Sequence, residues 1–210
     1  MDLAGPAFRK TVPAVIYVAM LRQMLMNRVV IGVVGDGSAG KDALIKTAFG
    51  LDSEINPIAG STTEAVTYPV GKHGVVEAIN YPGFNDYRQD VNKLTDELLR
   101  HTDVFLLVVD AIRGISGTDV QIMENLKAFD RPILVCLNKL DLVRDDKQKK
   151  ALEKAAIERL RVPAENLVFT AFDPDPRLNY PRVGEAEVRQ WLKARLVAAG
   201  KESGASDLPK

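Results

Sequence analysis

Two short stretches of this sequence combine residue types and spacings suited to holding a nucleotide. The first is Gly35-Asp36-Gly37-Ser38-Ala39-Gly40-Lys41, which fits G-x-x-x-x-G-K. Glycines let the backbone turn tightly, so that successive N–H groups point into one concavity. A following helix adds partial positive charge at its N-terminus, and Lys41 can reach the outer phosphates. The bare pattern occurs by chance, but here it sits between an apolar strand, Val29 to Val34, and a helix from Lys41 to Phe49. The second stretch is Asn138-Lys139-Leu140-Asp141, which closes the apolar strand Pro132 to Asn138 at the carboxyl edge where open α/β sheets bind ligands. Asp141 can accept hydrogen bonds from the N1–H and 2-amino groups of guanine, a donor pair that adenine lacks. Thr170-Ala171-Phe172 ends a further strand, from which a backbone N–H can meet the guanine oxygen. Alone, Asn138 to Asp141 reads as a polar strand-to-helix loop. Two independent stretches at matching sheet edges point to a bound nucleotide.

The elements that must position these residues follow from periodicity. Strands are expected at Glu64 to Val70 and Gly74 to Asn80, joined by a hairpin turn at Gly71-Lys72-His73-Gly74. Helix Gln89 to Arg100 leads to strand Val104 to Asp110, a nearly continuous apolar run typical of a buried parallel strand. Helices follow at Thr118 to Phe129, Lys147 to Leu160 and Val183 to Ala199, with strand Leu167 to Thr170 between the last two. The pattern is α/β, a mostly parallel six-stranded sheet with one antiparallel hairpin and helices on both faces. The expected organisation is an N-terminal amphipathic helical extension over 1–28, a nucleotide-binding domain over 29–199 and a disordered tail over 200–210.

In this order and context the chain resembles the small GTPases of the Era/TrmE type, over about residues 29 to 196. Val108-Val109-Asp110-Ala111-Ile112-Arg113-Gly114, then Asp119 and Asn138, is similar to the Era branch in particular. The resemblance implies a P-loop NTPase fold of the Ras-like G-domain kind and binding of GTP and GDP with Mg²⁺. It implies that Asn138 braces the phosphate loop and that Lys139 lies over the base. A switch threonine, Thr62 or Thr63 with Thr63 favoured, would sense the γ-phosphate through the metal. Asn80 to Gly83 correspond to the family's D-x-P-G segment, so Gly83 joins the phosphate-binding set. Lys41 and Thr63 are the catalytic candidates, Asp42, Thr63 and Asn80 (through water) the metal candidates.

Three positions depart from the family pattern. Asp42 stands where a Ser or Thr hydroxyl binds Mg²⁺, Asn80 where an aspartate holds it through a water, and Phe84 where many GTPases orient the attacking water with glutamine. The Era/TrmE class shares a hydrophobic residue at the third. The first two bear on metal binding and turnover and leave guanine recognition intact. The function expected is a guanine-nucleotide switch with slow GTP hydrolysis. Its rival is a pseudo-GTPase scaffold. An ATP-dependent enzyme is disfavoured by Asn138 to Asp141.

Other residues read as structure. His73 and His101 are far apart and suit a surface. Cys136 lies within a buried strand and is a small core residue. Lys147 to Lys150 fit the solvated face of a helix, and Trp191 a core-facing position. The N-terminal helix has two apolar faces, which suits docking along the domain or a protein or homodimer contact. The 210 residues carry 28 Lys and Arg against 28 Asp and Glu, a balance that argues against bulk-charge nucleic-acid binding. One cysteine excludes an internal disulfide framework. The apolar run Val12 to Leu21 is too short for a spanning helix and lacks a cleavage site after it, so a cytoplasmic chain is expected.

Overall fold

The computed structural model describes residues 15–18, 27–51, 65–72, 74–82, 97–143 and 145–210. Thr62, Thr63, His73, Gly83, Phe84 and most of the expected helices before Asn27 and before Arg100 lie outside the described residues.

The strands are β1 (Val29–Gly35), β2 (Val66–Val70), β3 (Val76–Asn80), β4 (Val104–Asp110), β5 (Ile133–Asn138) and β6 (Leu167–Phe169). The helices are α1 (Lys41–Phe49), α2 (Gly117–Lys127), α3 (Asp146–Leu160), α4 (Glu185–Ala198) and α5 (Glu202–Asp207). One six-stranded sheet runs in the order β2-β3-β1-β4-β5-β6, parallel throughout except for the β2–β3 hairpin. This is the mixed sheet expected from the alternating periods.

Strand alternation splits β1 between two cores, because successive side chains point to opposite faces. Val29, Ile31 and Val33 pack with Leu44, Ile45 and Phe49 of α1 and with Val188, Leu192 and Leu196 of α4. Val30 and Val34 face Ile122, Met123 and Leu126 of α2 and Leu152, Ala156 and Leu160 of α3. Both faces are therefore covered, which is why β1, β4 and β5 are buried along nearly their whole length. Ser116 starts α2 as a capping box: its hydroxyl accepts from Asp119 N while the Asp119 carboxylate accepts from Ser116 N.

The tail corrects one expectation. Residues after Gly200 are ordered against the domain, with Ala205 and Leu208 buried and Asp207 Oδ1 accepting from Lys72 N at 2.8 Å in the hairpin turn. Lys201 Nζ reaches Asp103 Oδ1 and the carbonyl of Arg28, both at 2.7 Å. Small residues that read as a polar tail are what allow this approach: a Cβ on Gly204 would lie 2.4 Å from Val29 Cγ2.

Candidate functional site

The connection Asp36 to Gly40 leaves the carboxyl end of β1 and enters α1 at Gly40, which has φ 99°. That left-handed conformation favours glycine, and a Cβ there would lie 2.2 Å from Asn138 Nδ2. Lys41 is buried and turns back over its own loop, donating to the carbonyls of Gly35 at 3.3 Å and Asp36 at 3.1 Å. The N–H groups of Ser38 and Gly40 make no hydrogen bond among the described residues, whereas Gly37 N donates to Asp36 Oδ1 and Ala39 N to Asp36 O. The loop sets the Ser38 and Gly40 donors beside the Lys41 ammonium group, a chemistry suited to phosphate.

Asn138 ends β5 and ties this loop to the opposite side of the cleft. Its Nδ2 donates to Ala39 O at 2.9 Å, while its Oδ1 accepts from Phe172 N at 3.2 Å and Thr170 Oγ1 at 3.3 Å. One buried side chain thus joins the phosphate loop, β5 and the segment after β6. Gly40 and Ala43 on one side and Asn138, Lys139, Asp141 and Asp173 on the other line a cleft of about 290 Å³.

On the side of the cleft formed after β5, Lys139 Nζ pairs with Asp110 Oδ2 at 2.6 Å. Burial would raise the Asp110 carboxyl, but hydrogen bonds from Lys139 and from the N–H groups of Ile112 and Arg113 hold it below its ordinary value. Asp141 Oδ2 accepts from Asp175 N at 3.0 Å, and Asp175 is fixed in turn by Arg177, which lowers the Asp175 carboxyl to about 2. That leaves Asp141 Oδ1 without a hydrogen bond among the described residues, in a residue that lines the cleft.

Residues 30–139, more than half of the chain, match the family described as 50S ribosome-binding GTPase. The chain belongs to this GTPase family. Its relatives include GTPase Der of Porphyromonas gingivalis, 29% identical over a 140-residue alignment that covers 61% of this chain and 32% of Der. The tRNA modification GTPase MnmE of Clostridioides difficile is 27% identical over 65% of this chain and 34% of its own. The chain spans about a third of the length of these relatives. Among solved structures, Aquifex aeolicus Era bound to GDP and AlF4⁻ has TM-score 0.56 at 20% identity, covering 86% of this chain and 57% of that one. Bacterial selenocysteine-specific elongation factor EF-Sec has TM-score 0.61 at 19% identity, covering 81% and 29%. These likenesses show the fold, a Ras-like G domain.

Within this domain the hydrogen bonds bear on two expectations. Thr170-Ala171-Phe172 offers no backbone N–H to a ligand. Thr170 N donates to Leu137 O, Ala171 N to Val183 O and Phe172 N to Asn138. The next N–H, that of Asp173, makes no hydrogen bond among the described residues, and Asp173 lines the cleft. The cause is tertiary: the segment before α4 returns to bridge Ala171, which no local pattern announces. The second concerns Asp42 and Asn80, which touch. Asn80 Nδ2 donates to Asp42 Oδ1 at 2.5 Å, and the Asn80 Oδ1 is buried without a hydrogen-bond partner among the described residues.

Sequence reasoning missed Arg113, whose guanidinium pairs with Asp36 in the phosphate loop and lies 3.5 Å from Asp119 Oδ1. Its sequence signals were its place in the 108–114 stretch that resembles the Era branch and its position between the end of β4 and the Ser116 cap, at the carboxyl edge of the sheet.

Proposed function

We propose that this GTPase domain binds GDP and GTP in the cleft between Gly35–Lys41 and Asn138–Asp141, and acts as a switch with slow hydrolysis. The observation that carries this reading is the double engagement of Asn138, which holds a phosphate loop and a base-recognition loop as one unit. Diphosphate oxygens would accept from loop N–H groups and Lys41. Asp141 would accept from guanine N1–H and the 2-amino group, Lys139 would lie over the base, and the Asp173 N–H would meet the guanine oxygen in place of Thr170 to Phe172.

The residues present fit a divalent cation. The orphaned Asn80 Oδ1 is an acceptor for a metal-bound water, and Asp42 Oδ2 makes no hydrogen bond among the described residues. Mg²⁺ takes oxygen ligands from one or two carboxylates together with phosphates, and when bound it would neutralise charge on the β- and γ-phosphates. Asp42, Asn80 and Thr63 are the residues that would hold it, with Asp42 carrying the charge usually found at the position of Asn80. Lys41 and the loop N–H groups would stabilise charge developing on the transferred phosphoryl group, with Gly83 contributing a further N–H. No side chain among the described residues of the cleft stands as an evident general base. Unassisted turnover of about 10⁻⁴ to 10⁻³ s⁻¹ is therefore expected.

Titration with fluorescent GDP against an ADP competitor, followed by single-turnover GTP hydrolysis with Lys41→Ala as control, tests the reading. Equal affinity for GDP and ADP would overturn the guanine assignment. Tight GDP binding with no turnover above the Lys41→Ala background would favour a pseudo-GTPase scaffold, which the substitutions at Asp42 and Asn80 also support. Val15, Ile16, Tyr17 and Val18 are apolar and exposed, which supports a protein or homodimer contact through the N-terminal segment or the switch regions.

A further inference from the structure

Arg113 lies in the stretch that resembles the Era branch without a role assigned to it, yet it meets the phosphate loop directly. The turn that carries it is fixed by Asp110, whose Oδ1 accepts from Ile112 N at 2.9 Å and Arg113 N at 3.3 Å. The other oxygen of Asp110 holds Lys139 Nζ. Charge therefore alternates across the site from Lys139 to Asp110, Arg113 and Asp36, from the base side to the phosphate side.

Asp36 is the member that conflicts with its surroundings. It is 8% exposed within a loop otherwise built to receive anions. Its Oδ1 accepts from Gly37 N at 2.8 Å, withdrawing one donor from the concavity. Its Oδ2 faces Arg113, which also lies against the fully buried Asp119 carboxylate at the start of α2. A carboxylate near phosphate groups opposes their binding, and the opposition grows as water is excluded. A guanidinium paired with it removes most of that opposition and holds the carboxylate in one place.

We propose that Arg113 is a positioning residue for the phosphate loop, neutralising Asp36 and holding its carboxylate off the nucleotide phosphates. The inference rests on the nucleotide-binding reading above. It explains how a loop with an acid at its second position can still accept a diphosphate.

The test is a double-mutant cycle read by fluorescent GDP titration, with thermal melting of each variant. Arg113→Ala is expected to weaken GDP by about tenfold in the native background, because Asp36 loses the guanidinium that neutralises it. In the Asp36→Ala background the same substitution is expected to cost less than about twofold. Arg113→Lys should recover much of the loss, and added salt should shrink it, since the repulsion is screened. An equal loss in both backgrounds, or no loss at all, overturns the proposal. A salt-independent loss overturns it too, since Arg113 would then act through packing alone. If Arg113→Ala does not fold, Arg113→Gln in both backgrounds gives the same comparison. Wild-type protein that binds no guanine nucleotide would instead overturn the nucleotide reading itself, an outcome separate from all of these.

Discussion

Asn80 Nδ2 donates to Asp42 Oδ1 at 2.5 Å, joining the end of β3 to the first turn of α1, while Oδ1 of the same amide is buried without a partner among the described residues. Turning the amide over would set its oxygen against the carboxylate, so the donor must face Asp42 and the acceptor is the group left unpaired there. Relative to the family pattern, a carboxylate has moved from the strand to the helix.

This arrangement is expected to make nucleotide affinity depend on metal. Without a cation, Asp42 would oppose phosphates bound nearby; with one between them, it would attract. Asp42→Ser is expected to raise GDP affinity in chelator by about tenfold and to flatten the Mg²⁺ dependence. Asn80→Asp, by setting two carboxylates side by side, should steepen it, and the double variant should return towards the native dependence. Calorimetric titration of GDP with and without Mg²⁺ reads all four proteins. Affinity unchanged by chelation in the native protein would mean that the two substitutions record loss of the metal site.

Base selection should follow Asp141. Its Oδ2 is occupied by Asp175 N, which fixes the carboxylate plane and leaves Oδ1 for the ligand. Asp141→Asn is expected to weaken GDP by about a hundredfold or more and to improve binding of xanthosine diphosphate, whose 2-oxo group matches an amide donor. Competition titration with both nucleotides measures the exchange. A parallel loss of both would indicate collapse of the loop rather than altered recognition.

The Asp110–Lys139 pair sets an acid-sensitive contribution to stability. Asp110 is held below its ordinary carboxyl value in the folded protein, so its contribution is complete above about pH 4. It is lost as pH falls through the folded value, because protonation releases Lys139 and the N–H groups of Ile112 and Arg113. Nucleotide-free Lys139→Met should be less stable than the native protein near neutral pH, with the gap closing as pH falls below about 4. Urea denaturation at a series of pH values follows the gap. A gap that persists in acid would assign the role of Lys139 to packing.

Docking of α5 depends on the missing side chain of Gly204. Gly204→Val would drive methyl groups into Val29, and overpacking of this kind costs about 1–3 kcal/mol. The neighbouring Ser203 is exposed on the same helix, so Ser203→Val is the control and should change stability far less. Chemical denaturation compares them. Equal midpoints for the two variants would show that the tail does not seat on the sheet edge.

Much of this molecule was legible in sequence because the signals are local and repeated. Apolar runs of strand length alternate with segments of helical period, which is enough to specify a mostly parallel sheet covered on both faces, and α1 and β4 fall at the expected residues. Gly35 to Lys41 and Asn138 to Asp141 were legible for a different reason: tight turns and ligand contacts constrain residue type at fixed spacing. Tertiary structure alone decided which distant groups meet. The Asn80–Asp42 contact spans 38 positions and the Arg113–Asp36 pair 77, and neither has a spacing rule. The return of Val183 to Ala171, which removes an expected donor and leaves that of Asp173, depends on how α4 packs across the sheet. The tail misled for the same reason: small polar residues resemble disorder in composition, whereas their value here lies in how closely they let the backbone approach Val29.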